Sequence, residues 1–444
     1  MPPSPRHRRL LAGILIPLAA AATLLLPAAP ATAAPEAGQY VPVSPVTVAD
    51  NVSLPAGGTT TATVTGVGGI PAAAGVSAVA VNLIANQPAG SGYLQLFPAG
   101  GTRPVDSALN YQAGRTTAGF EVVPVSSSGQ ITIVATAATK VLIRLRGYYT
   151  SAASTVTGSR FVPVPPATVV NNLAVAGGAT ISFSANGATG ANGIPASANV
   201  KALAVNVIAN QPTGNGHLQL YPAGGTPPVD STLNFQQGRT TANFEVVPVP
   251  DHGRISVFST TATKVIVRVR GYFTVSPYTG DGGTFTPVPP ATVVGNVAVP
   301  AGAITSFRVT GANGVPAPGQ VSAVALNVIA FQPSGNGWLQ AYPEGDRPVD
   351  STLNFQQGRN TAGFEVVRVP ADGRISIYST TATRVIVRLR GWYADAPAPS
   401  GADWRQYRNL PDHPGVNPSE SVLTPHNRPW RRPGVGRRAG GEPE

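Results

Sequence analysis

Two carboxylates recur at one fixed spacing three times in this sequence, as Asp106 and Glu121, Asp230 and Glu245, and Asp350 and Glu365. A pair of acids is what a glycosidase needs, one to protonate the leaving oxygen and one to act as base or nucleophile. The competing account is structural. Arg115, Arg239 and Arg359 lie close by in sequence, arginines also sit on a later strand, and lone charges on strands commonly serve pairing. Nucleophilic catalysis would require a base beside its nucleophile, usually histidine. The five histidines are His7, His217, His252, His413 and His426. None has a histidine counterpart in the other copies of the repeat described below, so neither a triad nor a histidine metal site is expected. The absence of cysteine excludes thiolate metal sites, iron–sulfur clusters, a thiol nucleophile and disulfides.

The residues better suited to recognition are basic and aromatic. The strings "KVLIRLRGYY" (140–149), "KVIVRVRGYF" (264–273) and "RVIVRLRGWY" (384–393) each read as a strand with two arginines on one face. Arg144, Arg146, Arg268, Arg270, Arg388 and Arg390 are therefore candidate ligand-binding residues, forming a basic edge for an anionic partner. Tyr93, His217 and Trp338 occupy one equivalent position, where a flat side chain offers a stacking surface to a sugar ring. The aromatic pairs that end each string contribute one member to a core by alternation. Asn110, Asn234 and Asn354, and Asn82, Asn206 and Asn327, read as buried amides that satisfy backbone groups.

Self-comparison supplies the elements that must hold these residues. Asn110, Asn234 and Asn354 are 124 and 120 residues apart, and Gly147, Gly271 and Gly391 repeat the same steps. Each copy opens on an aromatic and a proline-rich stretch ("YVPVSPVTV", "FVPVPPATVV", "FTPVPPATVV"). It then passes through short β-branched segments bounded by Gly, Pro, Asn and Ser. Units of this size are long enough to close their own cores. The expectation is an all-β protein of three tandem antiparallel β-sandwich domains, jelly-roll-like in type, at 40–150, 160–274 and 284–393. Residues 1–34 read as a signal peptide: Arg6, Arg8 and Arg9 precede the apolar run "LLAGILIPLAAAATLLLPAA", and Ala31 and Ala33 follow in cleavage spacing. Residues 394–444, rich in Pro, Gly and Arg, read as a disordered basic tail.

Hydrophobic residues make up 42% of the chain and charged ones only 11%, under half of the ~25% usual for soluble domains. A polar but uncharged coat of this kind suits an extracellular β-protein. Without the three leader arginines, 27 basic residues face 19 acidic ones, a balance of +8 that favours anionic partners.

The landmarks "LNFQQGRTTANFEVVPV" (233–249), "VIVRVRGYF" (265–273) and "NGVPAPGQVSAVALNVIA" (313–330) resemble a tandem repeat of secreted and cell-surface proteins of high-GC Gram-positive bacteria. The resemblance spans Tyr40 to Tyr393. It implies β-rich extracellular modules, sometimes attached to hydrolases, with no catalytic residue to carry over. Where that family often has an "LDTR"-like element, this chain has "TVADN", "TVVNN" and "TVVGN"; where it often has an acid before the "GYF" strand end, this chain has Arg144, Arg268 and Arg388. The functional expectation is a secreted, non-enzymatic structural or adhesion protein of the cell wall or surface. It would hold anionic wall polymers or glycans by multivalent weak binding. The alternatives are a glycan-binding module acting through exposed aromatics and a polysaccharide hydrolase acting through the Asp/Glu pairs. No cofactor, metal, nucleic-acid partner or membrane insertion after leader removal is expected.

Overall fold

The computed structural model describes residues 37–184, 194–195, 199–250, 253–275, 282–345, 347–348 and 350–395. The expected leader at 1–34 and the tail beyond 395 lie outside the described residues, as does His252.

Short alternating segments separated by turn residues become, among the described residues, eight strands in each repeat. The first repeat has β1 (Tyr40–Leu54), β2 (Thr59–Thr63), β3 (Val76–Asn86), β4 (Gly92–Pro98), β5 (Leu109–Tyr111), β6 (Thr117–Pro124), β7 (Gln130–Ala135) and β8 (Thr139–Thr150). The second has β9 (Arg160–Val175), β10 (Ala179–Ser184), β11 (Val200–Asn210), β12 (Gly216–Pro222), β13 (Leu233–Phe235), β14 (Thr241–Pro248), β15 (Arg254–Ser259) and β16 (Thr263–Thr274). The third has β17 (Phe285–Val299), β18 (Ile304–Arg308), β19 (Val321–Phe331), β20 (Gly337–Pro343), β21 (Leu353–Phe355), β22 (Thr361–Arg368), β23 (Arg374–Ser379) and β24 (Thr383–Ala394). The only helical element among the described residues is a single 3-10 turn, Ala73–Gly75.

Each repeat contributes two antiparallel four-stranded sheets. One runs β1-β8-β3-β6, with β9-β16-β11-β14 and β17-β24-β19-β22 as counterparts. The other runs β2-β7-β4-β5, with β10-β15-β12-β13 and β18-β23-β20-β21 as counterparts. The chain is all-β, but the expected three tandem antiparallel β-sandwich domains are not what forms. Six small four-stranded sheets make a propeller-like ring.

The physical reason is that the central strands are apolar on both faces. On β3, Val79, Val81, Leu83 and Ala85 pack within their own repeat. Ala78 and Ala80, pointing the other way, join a cluster drawn from all three repeats. A unit that closed its core alone would present polar residues on that second face.

The shared cluster follows an approximate threefold axis. Phe120, Phe244 and Phe364 form a nearly equilateral triangle, with ring centroids 5.2, 5.1 and 5.2 Å apart. The opening aromatic of each repeat stacks on the closing aromatic of another: Tyr40 on Phe273 at 4.4 Å, Phe161 on Tyr393 at 4.3 Å and Phe285 on Tyr149 at 4.4 Å. Such pairs contribute about 0.5–1.5 kcal/mol each beyond their buried area. Backbone bridges close the ring in the same sense. Tyr40 pairs with Ser159, Phe161 with Gly283, and Phe285 with Gly38, through reciprocal hydrogen bonds of 2.7–2.9 Å.

The glycine of each "RxRG" string is set by these aromatics. A Cβ on Gly271 would lie 2.3 Å from Cζ of Phe161, and one on Gly391 would lie 2.3 Å from Cζ of Phe285. Gly271→Ala is therefore expected to destabilise the whole chain by about 1–3 kcal/mol, the usual cost of overpacking. Gly295→Ala meets only an ordinary contact at 3.6 Å and should change stability by less than about 0.5 kcal/mol. Urea unfolding of the two variants provides the comparison.

Candidate functional site

The closing strands place the two arginines of each string in different surroundings. Pairing of β3 with β8 skips one residue between Gly147 and Leu145, so Arg146 is a bulged residue; Arg270 and Arg390 sit at the same irregularity on β16 and β24. A bulge re-aims its side chain. It also resets the alternation, sending Tyr148 into its own repeat's cluster and Tyr149 to the axis.

Each bulged guanidinium reaches into the next repeat. Arg146 binds Asp230 at 2.6 Å and Glu245 at 3.3 Å. Arg270 binds Asp350 at 2.6 Å and Glu365 at 3.0 Å. Arg390 returns to the first repeat, with Asp106 at 2.7 Å and Glu121 at 3.0 Å.

These six carboxylates and three arginines are buried. The recurrent acid pairs are thus held by arginines of a neighbouring repeat and are closed to a substrate. Arg146, Arg270 and Arg390 are not the open anion-binding edge expected of them, because their donors are engaged in buried pairs. Arg144, Arg268 and Arg388 donate through Nη1 to Oγ1 of Thr47, Thr168 and Thr292 on the adjacent opening strand. Arg144 also approaches Asp230 at 3.9 Å.

Each interface therefore sets two carboxylates against one bulged guanidinium. Burial pushes the Glu245 carboxyl up to about 7, opposed by Arg146 and reinforced by the Asp230 charge. Glu121 and Glu365 are raised for the same first reason, burial.

Two of the three interrupting asparagines bridge repeats as well. Asn206 donates to the carbonyl of Thr352 at 3.3 Å and Asn327 to that of Ala108 at 3.4 Å. At the remaining interface Asn243 takes the equivalent carbonyl, Thr232, at 2.7 Å, and the amide of Asn82 has no hydrogen-bond partner among the described residues.

A cavity of about 1020 Å³ opens where the three repeats meet, lined at equivalent positions by all of them. Asn110, Asn234 and Asn354, Gln112, Gln236 and Gln356, and Arg115, Arg239 and Arg359 form its polar wall. The arginines are carried on tight turns in which the amide of Arg115, Arg239 or Arg359 donates to the carbonyl of Gln112, Gln236 or Gln356 at 3.0–3.1 Å. Gly114, Gly238 and Gly358 take φ of 68–69° there, the left-handed conformation that suits glycine in such a turn. Each turn is tied down further by a glycine amide bonded to Pro88, Pro212 or Pro333 at 2.7–2.8 Å.

None of these three arginines forms an ion pair with a carboxylate of the described residues. Burial lowers the Arg115 pKa, and the charges of Arg359 and Arg239 lower it further. The cavity is thus a basic basin without internal neutralisation. Asn110, Asn234 and Asn354 accept from Ser107, Ser231 and Ser351 at 2.9, 2.9 and 3.2 Å, which fixes their carbonyls.

Of the expected stacking residues, Tyr93 and Trp338 line the basin, while His217 is not among its lining residues. Trp338 packs on Tyr378 at 5.3 Å, and the Arg347 guanidinium lies 3.8 Å from the Tyr378 ring centre. The terminal aromatics offer little to a ligand: Tyr148, Tyr149, Tyr272, Phe273 and Tyr393 are all buried. Among the described residues there is no cluster of metal-ligating side chains, and no helix is long and apolar enough to cross a membrane.

No family model matches the chain, and no curated protein matches it. Among solved structures it is similar to a chain from a study of the triple jelly roll fold and turret assembly in an archaeal virus. That match has 10% identity over 82% of this chain and 91% of the other, with a TM-score of 0.16. A second, from the atomic structure of Sulfolobus Turreted Icosahedral Virus, has 9% identity over 81% and 92%, with a TM-score of 0.15. Overlap this low carries no argument for the present chain.

Two expected outcomes follow from the ion pairs. Arg390→Met leaves Asp106 and Glu121 buried without their cation and should cost about 3–5 kcal/mol, whereas Lys264→Ala, exposed on its strand, should stay within about 0.5 kcal/mol. Chemical denaturation separates them. For Glu245 the folded pKa of about 7 exceeds the ordinary 4.5. Its contribution to stability is therefore full below the lower value and is lost as pH rises through the upper one. Unfolding free energies measured across this range should decline with pH in the parent and decline less in Glu245→Gln.

Proposed function

We propose that this chain is a secreted, non-enzymatic binding protein of the cell wall or cell surface, and that the axial basin takes its anionic polymer or acidic glycan. The observation that carries this reading is the convergence of Arg115, Arg239 and Arg359 on one cavity, with no carboxylate of the described residues paired to them. Uncompensated like charges attract anions and raise their local concentration. Arginine also presents a planar fork that matches carboxylate and phosphate oxygens.

Tyr93 and Trp338, which line the same cavity, suit the apolar face of a sugar ring, so charge and stacking can act on one ligand. Avidity then comes from three repeats converging on a single site and not from three modules binding separately.

Retention of the chain on purified wall fractions across a salt series tests the proposal. The chain should bind at about 0.1 M salt and elute towards 1 M, where the screening length falls from ~10 Å to ~3 Å. The combined variant Arg115→Gln, Arg239→Gln, Arg359→Gln should wash through at the lower salt. Retention equal to that of the parent would sink the basin as the site. Salt-insensitive retention lost in Trp338→Ala would shift the reading to stacking alone.

A further inference from the structure

We infer that the axial basin binds one compact oligoanion per chain, a ligand unit with two or more phosphate or carboxylate groups held among the forks of Arg115, Arg239 and Arg359. This rests on the reading of the chain as a binder of anionic polymers and specifies which part of such a polymer the basin takes.

The orientation of the arginines is the first support. Nη1 of Arg115 donates to Oε1 of Gln112 at 2.9 Å and of Gln236 at 2.6 Å. Nη1 of Arg359 donates to Oε1 of Gln356 at 2.8 Å and also to Gln112. The glutamines thus steady one nitrogen of each guanidinium. The Nε and Nη2 of both remain without a hydrogen bond among the described residues, and this is the edge that grips an oxyanion with two parallel bonds. Among the described residues Arg239 makes only a backbone hydrogen bond, from its amide to Gln236, which leaves its whole fork for a ligand.

Charge supplies the second support. The charges of Arg359 and Arg239 both act against that of Arg115 across the cavity, and a single ligand with several anionic groups relieves these repulsions at once. Separate polyanions at each arginine would bring their own like charges together on the axis. Size is the third: about 1020 Å³ holds a ligand of drug-like dimensions, such as the end or one branch of a polymer.

Calorimetric titration of the full chain with inorganic tripolyphosphate and, separately, with trigalacturonate distinguishes a phosphate from a carboxylate source. Orthophosphate and monogalacturonate serve as single-group controls. At about 0.05 M salt, at least one of the two probes should bind at one molecule per chain, roughly tenfold or more tighter than its control.

Arg239→Gln should weaken that binding by about tenfold or more, the scale of a charge-assisted hydrogen bond, with the urea unfolding midpoint unchanged. Arg239→Lys, which keeps the charge but not the fork, should recover only part of the loss. A stoichiometry of three, no preference over the single-group control, no binding of either probe, or an Arg239→Gln variant of parental affinity would each overturn the inference. Wall retention without small-anion binding would sink this inference and spare the proposed function; small-anion binding without wall retention would do the reverse.

Discussion

A buried guanidinium meeting two carboxylates of the neighbouring repeat is the constraint on which the rest of this molecule depends. Stripping water from a charge costs several kcal/mol per ion even after the protein relaxes, and the cost is met only when the partners stand in place. Among the described residues Arg146, Arg270 and Arg390 have no such partners within their own repeats. Each repeat must therefore present its acids to the arginine of another, always in the same rotational sense. A contact of this head-to-tail kind runs on indefinitely unless the rotation closes. Here it closes after three repeats, with the third arginine returning to Asp106 and Glu121.

Closure organises what lies on the axis. Alanines on the central strands let the sheets approach, phenylalanines fill the space between them, and the opening and closing aromatics interlock across repeats. The strands β6, β14 and β22 link this interior to the basin: Thr117, Thr241 and Thr361 begin them on the basin wall, and Phe120, Phe244 and Phe364 follow three residues later. Rigid packing on the axis thereby sets the spacing of the turns that carry Arg115, Arg239 and Arg359. The two sets of arginines divide the labour: one neutralises buried acids and joins repeats, the other stays unneutralised and faces solvent.

Much of this was legible residue by residue, and the failures have identifiable causes. Val265, Val267 and Val269 of "KVIVRVRGYF" enter one core, as a period of two residues requires. That period could not register that Arg270 is bulged, since a bulge arises from pairing with β11 and has no period of its own. The run "SAVAVNLIAN" is apolar on both faces, the mark of a strand covered on both sides, and that signal pointed away from self-contained sandwiches. The acid pairs were open to a structural reading, with either the nearby Arg115, Arg239 and Arg359 or the closing-strand arginines as partners; the closing-strand arginines proved to be the partners, but each from another repeat. Tyr93 and Trp338 line the cavity, whereas His217, at the equivalent position of the repeat, is not among its lining residues.

The sequence by itself determined the strand-rich character of the repeats, the exclusion of thiol chemistry and the threefold recurrence. All of these follow from residue type and from periods of two residues or of about 120. Tertiary structure alone decided that the repeats share a core, which arginine meets which carboxylate, and that three separate turns surround one basin. Those outcomes depend on pairings between residues more than eighty positions apart, such as Arg146 with Asp230 and Arg390 with Asp106, and no local pattern encodes the partner of a charge that leaves its own repeat.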